Sequence, residues 1–375
     1  MAGFGPDLRI LVVGAGPVGL TLALELARRG FSPRIVDAAA DFAPQAESRA
    51  LAVNVRTLTL LEASGATASI LAEAQQIRQM RLISGGLPLL TIDAMAIGGR
   101  YRGLHALPQG RTERILADHL ARYGVTVERQ TRCGAVEDPH SPLVTLDRPH
   151  LPREQARFDI VVGADGAHST VRKAVGLDFP GEALSETFYL ADFTYRDPVD
   201  TSFGEARFLA PGVLARLPVD RYTLRYVSTV ADFRERIVHP GPIEAVPWQT
   251  TFRVSFRHVG AMQRGNVFLA GDAAHIHSPI GGRGMNLGIE DACWLAWLIA
   301  EGRSGEYTRL RMPAVKRVMG DTRRTTAMVL LRNPVLLWLR DRLVPLLARL
   351  PQVRQEGLRG VLGLDTPAPP WLPDR

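Results

Sequence analysis

The stretch "LRILVVGAGPVGLTLALELARRG", residues 8–30, constrains the fold more than any other part of the chain. Leu8 to Val13 is an apolar run of β character, and beyond the glycines apolar residues return at helical spacing, at Leu20, Leu24 and Ala27. The segment reads as a strand, a tight turn and a helix. The turn carries Gly14, Gly16 and Gly19 in G-x-G-x-x-G order, with Pro17 and Val18 inside it. Glycine at these positions lets backbone amides approach a pyrophosphate at the positive end of the helix. "RIVD", residues 34–37, reads as a second short strand, and Asp37 at its end can accept a hydrogen bond from a ribose hydroxyl. A bound dinucleotide is therefore expected, and this motif leaves NAD and FAD both open.

Two later segments repeat the arrangement. In "FDIVVGADGAHSTVRKAVG" a strand over Phe158 to Val162 leads to Gly163, Asp165 and Gly166, then to a helix capped near Ser169. In "FLAGDAAHIHSPIGGRGMNLG", residues 268–288, a strand over Val267 to Ala270 leads to Gly271 and Asp272, a glycine-rich loop, and a helix beginning near Met285. Each places short side chains and one Asp at the carboxyl end of a strand, where open α/β sheets bind their ligands. Three such ends suit one long cofactor.

In this order and approximate spacing the three segments resemble the FAD-dependent aromatic hydroxylases of the para-hydroxybenzoate hydroxylase type, especially the branch that oxidises aromatic polyketides and phenols. The resemblance runs from residue 8 to about residue 350. It implies an α/β protein: a Rossmann-like FAD-binding domain with an inserted antiparallel β-sheet substrate domain and C-terminal helices. The expected division gives the FAD domain residues 1–76, 100–179 and 263–305, the substrate domain 77–99 and 180–262, and the helical segment 306–375.

The resemblance also implies roles for single residues. The 14–19 loop and Asp37 would bind the pyrophosphate and adenosine ribose of a non-covalent FAD. Arg49 would lie near its phosphates or ribityl chain, Gln109 would contact the ribityl region, and Asp272 would bond the ribityl hydroxyls. Asp165 would serve both FAD and a passing nicotinamide, and Pro279 would border the isoalloxazine. Gly271, Gly282, Gly284, Met285 and Asn286 complete the expected cofactor-binding set. A planar ring lying against backbone amides leaves no room for a Cβ at 281, 282 or 284, and a helix opening at 284–286 stabilises charge on the reduced ring. Arg283, where the related hydroxylases most often have Gln, either turns toward the ring and raises its potential, or instead points to solvent or pairs with a carboxylate elsewhere.

The implied activity is a monooxygenase. NAD(P)H reduces FAD, O₂ forms a flavin C4a-hydroperoxide, and one oxygen passes to an aromatic or polyketide-like substrate. No second G-x-G-x-x-G lies between a strand and a helix, so NAD(P)H is expected as a transient co-substrate. No catalytic base is assignable. Alternatives on the same fold are epoxidation or reduction of an alkene; a different class is a non-catalytic FAD-binding protein of a biosynthetic complex.

"IRQMRLISGGLPLLTIDA", "YTLRYVSTV" and "TTFRVSFRHV" read as antiparallel strands roofing the flavin. Phe188, Tyr189, Phe193, Phe208, Tyr222 and Trp248 are candidates for an aromatic pocket, although core packing is the plainer role for each. Two departures from the family stand out: a shortened helical portion between "VSTVADFRER" and "VPWQTTF", and a compressed linker after Ala300. The Arg-rich amphipathic stretch after Arg332 is expected to pack on the flavin domain or on a partner subunit, which admits a homodimer, with membrane-surface contact as the lesser alternative. Residues Pro367 to Pro373 are expected to fray.

Net charge is +7, yet all but two of the 45 cationic residues are Arg, the lysines being Lys173 and Lys316, and they are scattered. No basic block with interleaved aromatics points to nucleic acid. Cys133 and Cys293 have neither metal nor redox spacing, which fits a reducing cytoplasm, and neither a signal peptide nor a membrane span is expected. His275 and His277 lack the further ligands that a metal site needs, so no metal is expected and hydrogen bonding is their expected role.

Overall fold

The computed structural model describes residues 7–44, 50–96, 99–209 and 212–372. The first apolar run forms strand Ile10–Val13, buried at every position, in the middle of a six-stranded sheet. Strand Ile160–Gly163 pairs with it in parallel on one side and Arg34–Val36 on the other. Val267–Leu269 continues the parallel order beyond Ile160–Gly163, and Val127–Glu128 continues it beyond Arg34–Val36. Strands covered on both faces read as unbroken apolar runs, as these do.

The register decides the site. Val13 lies opposite both Gly163 and Val36, and Gly163 lies opposite Leu269. The turns after residues 13, 36, 163 and 269 therefore leave one edge of the sheet side by side.

Helix Pro17–Arg28, which follows the first turn, packs on helix Gly284–Ala300, which follows the third. Their contact needs glycine on the second helix. A Cβ at Gly288 would stand 2.6 Å from Val18 Cγ2 and 3.1 Å from Gly271 Cα. Leu20, Leu22 and Leu24 meet Leu287, Ile289 and Leu295 in the main core.

An eight-stranded sheet forms the second layer, in the order His275–Ile276, Ile243–His258, Gly181–Tyr195, Thr223–Ser228, Val213–Pro218, Phe203–Phe208, Gln79–Ser84 and Leu87–Asp93. It is antiparallel with one exception: Phe203–Phe208 runs parallel to Gln79–Ser84. Those two strands come from distant parts of the chain, so no hairpin imposes an antiparallel pairing. His275–Ile276, from the glycine-rich segment, pairs with the end of Ile243–His258 and ties the two sheets together.

Between the strands, the expected short middle segment is a single turn, Phe233–Arg236. After Ala300 a one-turn element, Ser304–Glu306, leads into the long helix Tyr307–Val329. Helices Pro334–Leu347 and Pro351–Val361 follow. Leu358 and Leu362 pack among Leu51, Val55, Leu104 and Val219. The end of the chain does not fray through residue 372: Trp371 lies 5.2 Å from Trp294 and 5.0 Å from Trp297 between ring centroids. Ring packing of the half-buried Trp371 outweighs the poor helix and strand propensity of the prolines around it.

Candidate functional site

The glycines of the first turn are glycine for three different reasons. Gly14 has φ +102°, and a Cβ there would lie 2.7 Å from the Ala164 carbonyl carbon. A Cβ on Gly19 would run into the Gly14 carbonyl oxygen. Gly16 has extended backbone, and its Cβ would meet nothing within 4 Å. No neighbour among the described residues requires glycine at 16, and the open space there leaves room for a ligand to lie against the backbone. Gly284, at the start of its helix, is equally open. First-turn N–H groups of both helices have no intrahelical acceptor and carry the positive end of the dipole. Two open helix N-termini beside strand-end carboxylates fit a long anionic dinucleotide.

Gly281 and Gly282 have their own reasons. Their φ values are +87° and +62°, and a Cβ on Gly282 would meet Ala52 Cβ at 2.8 Å. The turn itself therefore excludes side chains there, and of the three only Gly284 has open space where its Cβ would stand, room that a flavin ring would need kept clear. Gly271 likewise is left-handed, φ +60°, with Val18 Cγ2 2.8 Å from where its Cβ would stand.

The carboxylates are already engaged in different ways. Asp37 accepts from the Ala15 amide at 2.5 Å and the Ala39 amide at 2.7 Å, which ties the first turn to the end of the second strand. Asp165 accepts from Ser169 Oγ at 2.5 Å and from the Thr170 and Val171 amides at 2.7 and 3.2 Å. It thereby caps the short helix Thr170–Ala174 together with Ser169, whose Oγ accepts from the Arg172 amide. A direct ligand role for Asp165 has to compete with this cap. Asp272 stands exposed on the one-turn helix Gly271–Ala273, just past the third strand.

Gln109 opens helix Gln109–Ala121 and donates from Nε2 to Glu113 Oε1 at 2.8 Å. Burial raises the Glu113 pKa, against the opposing bonds from Gln109 and from the Ala43 amide. Pro279 is exposed, and its carbonyl accepts from the Gly282 amide at 2.9 Å. Met285 is half-buried. Arg49 lies outside the described residues. Asn286 is buried with its amide fully engaged: Oδ1 accepts from the Asn54 amide and Thr57 Oγ1, and Nδ2 donates to the Ala52 and Gly282 carbonyls at 2.8 and 2.7 Å. Its side chain fastens the glycine-rich loop to residues 52–57 and leaves only backbone to face a cofactor.

Arg283 takes the last of its expected courses. It pairs with Asp365, Nη2 to Oδ1 at 2.7 Å and Nη1 to Oδ2 at 3.1 Å. The six aromatic candidates do not converge on one pocket. Phe188, Phe193 and Phe208 are buried in three separate clusters, and Tyr222 is exposed. Phe188 stacks on Phe252, with ring centroids 5.5 Å apart, so its apolar face is satisfied inside the core.

A buried charge network under the third turn escaped sequence reasoning. His275 Nε2 lies 2.6 Å from Asp291 Oδ2; Arg311 donates to Asp291 Oδ1 at 2.8 Å and to Glu290 Oε1 at 2.9 Å. Burial alone would raise the Asp291 pKa, but His275 and Arg311 outweigh it and hold the carboxyl below its ordinary value. The signal was present as two adjacent acids in the otherwise apolar "LGIEDACWLAWLIA". Acids on a buried helix need a cation, yet nothing singles out Arg311 among so many arginines. His277 Nδ1 lies 2.9 Å from the Ser278 carbonyl oxygen, and burial, with His275 nearby, pushes its pKa down to about 4. Among the described residues no group of three or more His, Cys, Asp or Glu is placed to hold a metal.

One dinucleotide-binding sheet whose own third loop joins a large, mostly antiparallel sheet defines an FAD-type nucleotide-binding protein. The sequence profile described as "FAD binding domain" matches residues 7–238 and 229–312. The chain is 34% identical over 361 residues to the 6-methylpretetramide 4-monooxygenase of Streptomyces rimosus, covering 88% of this chain and 63% of that one. It thus spans under two thirds of that relative's length. The solved anhydrotetracycline hydroxylase of Streptomyces rimosus superposes with a TM-score of 0.80 at 28% identity, covering 96% of this chain and 77% of that one. A Diels-Alderase of pyrroindomycin biosynthesis superposes with the same TM-score, 0.80, at 25% identity, covering 96% and 81%. The chain belongs to the FAD-binding family of flavin-dependent aromatic hydroxylases.

Proposed function

We propose that the chain is a flavin-dependent monooxygenase that uses NAD(P)H and O₂ to hydroxylate an aromatic or polyketide-like small molecule. The observation that carries this reading is the open cradle at Gly16 and Gly284, on turns that leave one sheet edge together. Bound FAD, once reduced, would supply the electrons that activate O₂, one atom of which passes to an electron-rich ring carbon.

The chain's part is binding, orientation and exclusion of water. Backbone amides of the 14–19 loop receive the pyrophosphate, with Pro17 fixing the first helical turn and Val18 packing beneath it. Asp37 takes the adenosine ribose, and Asp272 and Gln109 line the ribityl path. Asp165 holds the middle turn through its cap. Pro279, Gly282, Gly284 and Met285 border the ring, and Asn286 keeps that loop closed on residues 52–57. The helix N-terminus at 284 stabilises negative charge on the reduced ring. The eight-stranded sheet, which apart from His275–Ile276 lies within residues 77–99 and 180–262 of the proposed domain division, roofs the substrate side.

With one dinucleotide fold, NAD(P)H binds transiently and leaves. No helix among the described residues is long and apolar enough to cross a membrane. Cytoplasmic residence is proposed on the two buried, unpaired cysteines. A homodimer is proposed on the exposed side of Pro334–Leu347, where Leu336, Trp338, Leu343 and Leu346 face solvent.

The Diels-Alderase neighbour favours one second reading, in which FAD is held as a structural part of a non-redox catalyst. Incubation with ¹⁸O₂ separates the two. Tetracycline-type polyphenols, simple phenols and polycyclic quinones are screened for stimulated NAD(P)H consumption, and product mass is read. A product heavier by one labelled oxygen supports the monooxygenase. FAD binding with product formation but no NAD(P)H consumption supports the second reading.

A further inference from the structure

The glycine-rich loop ends on a charge whose partner comes from the far end of the chain. Arg283 immediately precedes helix Gly284–Ala300, and its side chain is 8% exposed; Asp365, which it grips through two hydrogen bonds, is 6% exposed. A third bond runs from Arg283 Nη1 to the Gly360 carbonyl oxygen at 2.5 Å. The strap carrying Asp365 is fastened independently of this pair. Arg56 donates to the Gly363 and Thr366 carbonyls at 3.3 and 3.2 Å, and Thr366 Oγ1 donates to Glu290 Oε2 at 3.1 Å. Leu358, Leu362 and Trp371 anchor it in apolar contacts on either side.

We propose that Asp365 is a positioning residue for the flavin: it holds the Arg283 guanidinium off the ring and cancels its charge at the loop bordering the ring. This rests on the FAD-binding reading above. A full positive charge at that helix start would add to the dipole and favour the anionic reduced flavin. Paired with a buried carboxylate, the guanidinium contributes almost no net charge, and the flavin potential is kept lower than Arg283 alone would set it. The neighbouring charges do not substitute for the pair. Arg317, Glu356 and Arg359 line the open cleft beside Asp365 and are exposed to screening, while Arg56 and Glu290 lie behind the strap and are bonded to it.

The pair has a signature that a purely structural contact lacks. Asp365→Asn leaves an uncompensated cation, and Arg283→Gln leaves an uncompensated anion, so the two substitutions shift the flavin midpoint in opposite directions. The double substitution removes both charges and restores it.

The test is an equilibrium reductive titration of the FAD-loaded wild type, both single variants and the double variant against a reference dye. Asp365→Asn is expected to favour reduced flavin about tenfold and Arg283→Gln to disfavour it about tenfold, each about 30 mV for a two-electron couple, with the double variant within about threefold of wild type. Asp365→Glu, which keeps the charge, is expected to match wild type. Superimposable midpoints, or shifts of one sign in both single variants, overturn the proposal. If Asp365→Asn fails to fold, Arg283→Gln decides alone: an unchanged or raised midpoint overturns it. A wild type that takes up no FAD overturns the cofactor reading instead, and is distinguished before any titration begins.

Discussion

Gly16 and Gly19 stand three residues apart in one motif and are glycine for opposite reasons, one facing open space and the other the Gly14 carbonyl. Alanine at 16 fits the extended backbone before Pro17, so apo stability is expected to stay within about 0.5 kcal/mol of wild type while FAD affinity falls about tenfold or more. Alanine at 19 is expected to destabilise even the apo protein by about 1–3 kcal/mol. Urea denaturation of apo protein and flavin-fluorescence titration read the two effects separately. The motif announced both glycines equally, because spacing carries no record of which atoms a Cβ would meet. His277 gives a second residue-scale expectation. Its folded pKa of about 4 lies below the unfolded value, so the unfolded state binds the extra proton between them. Stability is full above about pH 6.5 and is lost as pH falls toward 4, by up to about 1.4 kcal/mol per unit. Thermal midpoints of wild type and His277→Gln are expected to converge as pH falls from 7.5 to 5; parallel curves would contradict this.

Among the elements, the strands and helices around the three turns were legible because apolar runs bounded by glycine have few other solutions. Ser169 was readable as a cap for the same local reason, and it is one. Long-range partners were not legible. Nothing in the sequence pairs Phe203–Phe208 with Gln79–Ser84, which lie far apart in the chain, or selects Arg311 for Glu290 and Asp291, which depends on how helix Gly284–Ala300 meets Tyr307–Val329. Asp165 shows the same limit: a strand-end Asp is compatible with a ligand and with a cap, and the cap became visible only with the placement of Ser169, Thr170 and Val171. The network supplies the element-scale test. Arg311→Met removes the guanidinium shared by two buried carboxylates and is expected to destabilise the fold by about 3–5 kcal/mol in chemical denaturation, where an exposed Arg such as Arg324 costs under about 0.5 kcal/mol.

At the scale of the molecule, parallel register brings the three turns to one edge, His275–Ile276 couples the two sheets, and the last residues return to the start of the third-turn helix. The apolar side of Pro334–Leu347 remains uncovered, and sedimentation equilibrium tests the homodimer proposed there: wild type is expected as a dimer and Leu343→Glu/Leu346→Glu as a monomer. Everything argued about the turns converges on one cofactor. The direct measurement is the visible absorbance of the purified protein, with flavin quantified after denaturation. About one non-covalently released FAD per chain is expected, given one dinucleotide-binding sheet; a colourless protein that cannot be reconstituted with added FAD would contradict the account.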